Sequence, residues 1–198
     1  MSGHDPAAAR TVRPLDASTW AAFAELCASS DGYPSGCWCI GFHEEGTAGG
    51  ASCNRQRKLD RVTAGTTHAA LVFEGDQCVG WCQYGPASEV VRIKNRRQYD
   101  ASQDGDPPDW RIGCNYARAG HRRQGVATMA LEGALQLIAA AGGGRVEGYP
   151  EPAGAVPAGF LFHGALSTFE RAGFVRDRMV GKHRWVVTRT VGSAAADR

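Results

Sequence analysis

The sequence predicts an α/β (α+β) fold: one mixed, mostly antiparallel sheet with helices on both faces. Three observations predict it. Two alternating runs, His68 to Glu74 and Gln77 to Tyr84, are joined by Gly75-Asp76, a strong hairpin signal. A strand, a turn and a long helix follow one another from Trp110 to Gly144 and lead into another short strand, the pattern of a parallel pair with a crossover helix. The whole order reads β–α–α–β–β–β–α–β–α–β–β. A length of 198 residues suits one domain, expected over 11–191, with disordered tails at 1–10 and 192–198.

Thr11 to Leu15 forms the first strand. Asp16 suits an N-cap for a helix from Ala17 to Ser29, with Trp20, Phe23, Ala24 and Cys27 as its buried stripe. Ser30 to Ser52 is a loop holding Cys37-Trp38-Cys39. A basic helix from Asn54 to Thr63 carries Arg55, Arg57, Lys58 and Arg61, expected on a solvated face. After the hairpin, Pro86 stops the strand and Ala87 to Asp109 is a long polar loop of the kind that covers sites. In Trp110 to Arg118, Ile112, Cys114 and Tyr116 alternate with small or polar residues. Gln124 to Ala141 has helical apolar spacing, and Gly142 to Gly144 ends it. Arg145 to Tyr149 is a strand, Phe162 or His163 to Arg171 a helix stopped by Ala172-Gly173. Phe174 to Asp177 and Arg184 to Val191 are the last strands.

The turn from His121 to Ala127 carries the chemistry. It sets unpaired backbone N–H groups at a helix N-terminus, where the dipole is positive and a phosphate fits. Gly125 leaves room for an anion near the backbone, and Arg122 and Arg123 add forked donors. The residues of a P-loop and the glycine spacing of a dinucleotide fingerprint are both missing. The net charge of +2 is too small to argue for nucleic acid or a membrane surface. No apolar run approaches the ~20 residues of a membrane span. Seven cysteines, an odd number, with no apolar signal core in MSGHDPAAAR, point to a reducing compartment, by default the cytoplasm.

Arg122-x-x-Gly125-x-Ala127 directly after a strand is similar to the acyl-CoA-binding turn of the GNAT superfamily of N-acetyltransferases. Val79-Gly80-Trp81, read as a strand end, resembles a second signature of that family, and Phe169 to Phe174 a third. The element order resembles the GNAT fold from about Thr11 to Val191, and the Cys-Trp-Cys loop resembles one branch of the superfamily. The resemblance implies acetyl-CoA as cofactor, lying between Trp110–Arg118 and Arg145–Tyr149. Backbone groups of Asn115, Tyr116, Ala117 and Arg118 would pair with the pantetheine arm. Arg122, Arg123, Gln124, Gly125, Val126, Ala127 and Thr128 would hold the pyrophosphate. An amine would attack the thioester directly in a ternary complex, which requires ammonium deprotonation, oxyanion stabilisation and thiolate release.

The same resemblance implies roles for single residues. Phe169 stands in the cofactor set where the family often has a proton-donating tyrosine, and Phe162 where it often has asparagine. Tyr116, Tyr149 or Ser167 would have to donate instead. Glu147 is the candidate base; the competing expectation is a water-facing edge-strand glutamate. The acceptor is expected to be a compact amine beneath the two long loops. Trp38 and Phe42 would form walls, and His43, Glu44 and Glu45 would line the acceptor side, the two glutamates attracting the ammonium. His121 and His163 are expected as surface or capping residues, and Cys114 as a small core residue. No metal is expected; the rival reading takes Cys37, Cys39, His43 and Cys53 as a zinc site of an interaction module, although the Cys-x-Cys spacing is tight. A second rival is a catalytically silent acyl-CoA-binding module, motivated by Phe169. The sequence leaves the acceptor and the oligomeric state open, a homodimer included.

Overall fold

The computed structural model describes residues 9–29, 36–154 and 161–194. Its elements are β1 (Arg10–Pro14), α1 (Trp20–Ala28), α2 (Gly50–Ala64), β2 (His68–Glu74), β3 (Gln77–Pro86), α3 (Arg96–Ser102), β4 (Trp110–Ala117), α4 (Val126–Ala140), β5 (Gly144–Gly148), α5 (Leu166–Arg171), β6 (Val175–Val180) and β7 (Arg184–Val191). One turn of 3-10 helix, Ala119–His121, leads from β4 towards α4.

The seven strands form one sheet in the order β1-β2-β3-β4-β5-β7-β6. Every neighbouring pair is antiparallel except β4 and β5. That parallel pair needs a crossover, which α4 provides. It is also short: Trp110 faces Val146 and Arg111 faces Glu147, and no further pairs form. Beyond Arg111 the two strands part, and the opening between them organises the site.

Alternation along the strands divides the core. Ala70, Val72, Cys82 and Ile112 pack under α4 and α5. Leu71, Phe73, Trp81 and Cys114 face the other way, under α1 and α2. Gly80 marks a close approach between layers. It lies within β3, not at the strand end the sequence suggested, and a Cβ there would sit 2.5 Å from Val126 Cγ1 and 2.6 Å from the Tyr116 carbonyl oxygen.

Several expected boundaries shift for identifiable reasons. The carboxylate of Asp16 accepts the Ser18 and Thr19 amides, closing a turn before the helix, so α1 starts at Trp20. Its deep residues are Phe23 and Leu26. The helix α2 starts at Gly50, and α5 has only six residues. The expected loop 87–109 contains α3, a helix too short to be stable alone. Its Tyr99 is fully buried beneath it. Arg10, assigned to the tail, pairs opposite Glu74, and the Ala194 amide reaches the Ala139 carbonyl at 3.0 Å. The remainder of both tail assignments, 1–8 and 195–198, and loop residues 30–35 lie outside the described residues. No helix among the described residues is long and apolar enough to cross a membrane.

The basic face of α2 is only in part the solvated stripe expected: Arg55 is exposed, while Lys58 is not. Arg55 lies 5.8 Å from the rings of both Trp20 and Trp38. Arg57 donates to the Ala48 carbonyl, and Arg61 pairs with Glu45 at 2.9 Å. Lys58 is wholly buried.

Candidate active site

A helix start creates the first half of the site. Gly125 caps α4 in the left-handed conformation, φ 83°, and Arg123 shares it at φ 60°. The first N–H groups of α4 have no intrahelical partner and point out of the turn. An added Cβ on Gly125 would meet nothing within 4 Å, so the backbone faces open space. The space is a cavity of about 450 Å3 lined by Asn115, Tyr116, Ala117, Arg122, Arg123, Gly125, Val126, Ala127 and Thr128.

Three expected cofactor residues lie elsewhere. The Gln124 carbonyl and amide oxygens both accept from Arg10, at 2.6 and 2.9 Å. The Arg118 amide is bonded to the Val79 carbonyl at 2.9 Å. Phe169 is fully buried, packed against Gly148 and Gly164, where added Cβ atoms would come within 2.4 and 2.9 Å of its ring. The far wall joins Phe162 and Ser167, which the sequence singled out, to Leu161, Gly164, Ala165, Thr168 and Arg171, which it did not. Of the latter only Arg171 lay within the late helix-to-strand signature.

The gap between β4 and β5 is not empty backbone. The Asn115 amide donates to the Phe162 carbonyl at 2.8 Å, and His163 Nδ1 lies 2.9 Å from the Gly113 carbonyl. Residues 162–163 thus take positions on β4 that the resemblance left for the pantetheine arm. The Asn115 side chain ties β4 to α4 through the Ala127 carbonyl at 3.0 Å, and its Oδ1 is buried without a partner. That orphan acceptor, the arginines and the open turn are together suited to a phosphate-headed ligand with an amide-bearing arm.

On the other side of Phe162 lies a second cavity, of about 340 Å3. Its walls are Cys37, Cys39, Gly41, Phe42, Thr47, Arg92, Ile93, Lys94, Cys114, Phe162 and His163. Phe162 lines both cavities. His163 is buried, not a surface residue. Burial and the nearby Arg184 push its pKa down to about 3, so it is neutral, and Nδ1–H donates to Gly113. Its Nε2 is then an acceptor.

Of the residues expected to bind the acceptor, Phe42 alone lines this cavity. Trp38 is buried and stacked on Trp20, with ring centroids 6.0 Å apart. His43 is buried between the Glu89 carbonyl at 3.1 Å, Thr67 Oγ1 at 3.0 Å and the Gln83 side-chain amide at 2.9 Å. Burial, with Lys58 and Arg61, pushes its pKa down to about 3, so it is neutral. Glu45 is paired with Arg61, and Glu44 borders a separate surface hollow. Among the described residues the charged groups on the acceptor cavity are instead Arg92 and Lys94.

Glu147 and Tyr149 are also removed from both cavities. Glu147 is 1% exposed, and its Oε2 accepts from Tyr99 Oη at 2.8 Å and Tyr149 Oη at 3.0 Å. Burial and the Glu147 carboxylate push the Tyr149 phenol well up. Glu147 is therefore neither a base at the cleft nor a water-facing residue, but the centre of a buried network under α3. Tyr116 lines the first cavity and stacks on Trp81 at 4.4 Å.

The cysteine loop meets α2 and β4 in a buried cluster. Trp38 and Cys39 both adopt positive φ, 52° and 51°. The turn sets Cys39 Sγ 3.0 Å from Trp81 Nε1, whose N–H it accepts. All seven cysteines are free. Among the described residues no three His, Cys, Asp or Glu side chains gather as a metal site, and His43 is engaged elsewhere.

No protein-family model matches the chain, and no curated protein matches it in sequence. Its fold does match solved structures. An acetyltransferase of the GNAT family from Streptococcus pneumoniae aligns at 10% identity and a TM-score of 0.52, covering 93% of this chain and all of that one. The ribosomal-protein-S18-alanine N-acetyltransferase from Escherichia coli aligns at 8% identity and 0.52, over 94% and 96%. The aminoglycoside acetyltransferase AAC(6')-Ib, solved with coenzyme A, aligns at 15% identity and 0.54, over 92% and 95%. The chain therefore has the GNAT acyltransferase fold, over nearly its whole length.

Proposed function

We propose that the protein transfers an acetyl group from acetyl-CoA to a primary amine of a small acceptor, by direct attack in a ternary complex. One observation carries the reading: two cavities meet at the parting of β4 and β5, divided by Phe162, one headed by the α4 N-terminus and arginines and the other largely apolar. The GNAT acetyltransferases of like fold support the reaction class, and the neighbour solved with coenzyme A supports the cofactor.

Acetyl-CoA would supply the acetyl group as a thioester. The amides of Val126, Ala127 and Thr128, with Arg122, Arg123 and Arg171, are suited to hold its pyrophosphate. Phe162, pairing through its carbonyl with Asn115, would shift or share that edge as the arm enters. Phe42, Ile93 and Phe162 would exclude water from the amine, and His163 Nε2 would accept one of its N–H bonds. Tyr116 and Ser167 line the cofactor side and could return a proton to the leaving thiolate. With a thiol pKa near ~8.5 that group also leaves tolerably unaided. Arg92 and Lys94 at the acceptor cavity favour an amine that also bears an anionic group.

We also place the protein in the reducing cytoplasm, on the ground of its free thiols, and assign it no nucleic-acid partner, because the α2 arginines are engaged within the fold. The deciding assay is free-thiol release from acetyl-CoA over a panel of amines, amino acids included. Turnover with a small amine supports the reading. Tight coenzyme A binding by calorimetry with no turnover on any amine would establish the silent-module reading, which buried Phe169, with no proton to give, favours.

A further inference from the structure

The turn before α4 is held from a distance by the first strand. β1 is the outer strand at one end of the sheet, next to β2. Arg10 opens it, opposite Glu74 at the end of β2. Its guanidinium is used on three sides. Nε donates to Glu74 Oε2 at 3.0 Å, one terminal nitrogen to the Gln124 carbonyl at 2.6 Å, and the other to Gln124 Oε1 at 2.9 Å. The planar fork fixes both oxygens of Gln124 in one geometry, which the single point charge of a lysine does not do. The same Glu74 oxygen lies 3.8 Å from His121 Nε2. Arg10 and Glu74 thus grip the turn at His121 and Gln124, while Arg122 and Arg123, between them, line the cofactor cavity.

Two further observations bear on this grip. Arg123 and Gly125 are both left-handed, at φ 60° and 83°. For a residue with a side chain that conformation is uncommon and persists where the surroundings hold it. Packing links the same two elements further along α4. An added Cβ on Gly133 would sit 2.5 Å from Val12 Cγ1 of β1. The strand therefore meets the helix at its entry and again along its length.

The grip decides where an amide points. In a trans peptide the C=O and N–H groups point in opposite directions. The Gln124 carbonyl is drawn to Arg10 on β1, so the Gly125 N–H of the same peptide turns away from β1. The cavity lies on that side: Gly125 lines it together with residues of β4 and α5, and β4 stands three places from β1 in the sheet.

We propose that Arg10 is a positioning residue for the cofactor: by clamping Gln124 it aims the Gly125 N–H, and the first amides of α4 after it, at the pyrophosphate. This rests on the acetyl-CoA reading and adds to it a residue that lines neither cavity.

The test uses the full chain and coenzyme A, with calorimetry for affinity and the Gly125 amide proton shift at saturation, read by NMR, for aim. In the wild type that proton is expected to move downfield as it bonds to the pyrophosphate. Arg10→Ala is expected to weaken coenzyme A roughly fivefold or more and to lose most of that shift. Arg10→Lys, which keeps the charge but not the fork, is expected to fall between the two, and it carries the same comparison should Arg10→Ala not fold. Wild-type affinity in the variants overturns the clamp and leaves the acetyl-CoA reading standing. Weakened binding with the full Gly125 shift also overturns it, because the loss is then one of general stability. A wild-type Gly125 amide that coenzyme A leaves in place does the same. Wild-type protein that binds no coenzyme A sinks the acetyl-CoA reading, and the clamp with it.

Discussion

Replacing Gly80 by alanine tests how β3 sets the cofactor turn. The added methyl would lie 2.5 Å from Val126 Cγ1 and 2.6 Å from the Tyr116 carbonyl oxygen. Ordinary carbon contacts begin near ~3.5 Å, so about 1 Å of displacement is required. Tyr116 is held by the β3–β4 ladder, which leaves Val126, the first residue of α4, to move. Overpacking of this kind costs about 1–3 kcal/mol. In a chain of this size each ~1 kcal/mol lowers Tm by about 2–4 °C. The same displacement moves the amides proposed to bind the pyrophosphate, so coenzyme A affinity should fall roughly threefold or more, a change of ~0.7 kcal/mol. Denaturation and calorimetry read the two effects. Val126→Ala in the Gly80→Ala background should recover part of both, giving a coupling energy of about 0.5–3 kcal/mol. Unchanged Tm and affinity in Gly80→Ala, or strict additivity in the cycle, would refute this reasoning.

Arg123→Ala should weaken coenzyme A binding at least tenfold, the scale of a charge-assisted hydrogen bond at about 1.5–3 kcal/mol, and Gly125→Val should nearly abolish it; calorimetry with both unchanged would move the site elsewhere. Tyr99→Phe should destabilise the fold by about 1–2 kcal/mol through the Glu147 network while leaving kcat alone, and a kcat loss without a stability loss would return Glu147 to catalysis. His43 and His163, both held near a pKa of about 3, are neutral when folded and return to ~6.5 when unfolded. Below that value the unfolded chain binds more protons, so stability is full above pH ~6.5 and falls towards pH 3, by about 1.4 kcal/mol per unit for each histidine. Urea unfolding equally stable at pH 7 and pH 5 would show that neither histidine is held neutral.

The sequence by itself determined the element order, the hairpin and the turn before α4. These are local features: strands show their alternation, Gly75-Asp76 makes its own turn, and Gly125 and Gly142 bracket α4 within one stretch of chain. The cavity residues on β4 and α4 were legible for the same reason, since that strand, turn and helix are contiguous. Only the tertiary structure decided the rest. Lys58 looks like a neighbour of three solvated arginines until α2 is rotated against α1 and the cysteine loop. Tyr99 withdraws Glu147 from the cleft across 48 residues of chain, and His163 reaches Gly113 across 50. Cys39 meets Trp81 across 42. Such contacts have no period and no spacing in the sequence, because burial depends on which faces of separate elements close on one another. A lysine among arginines, or a glutamate on a strand, takes its chemistry from that closure.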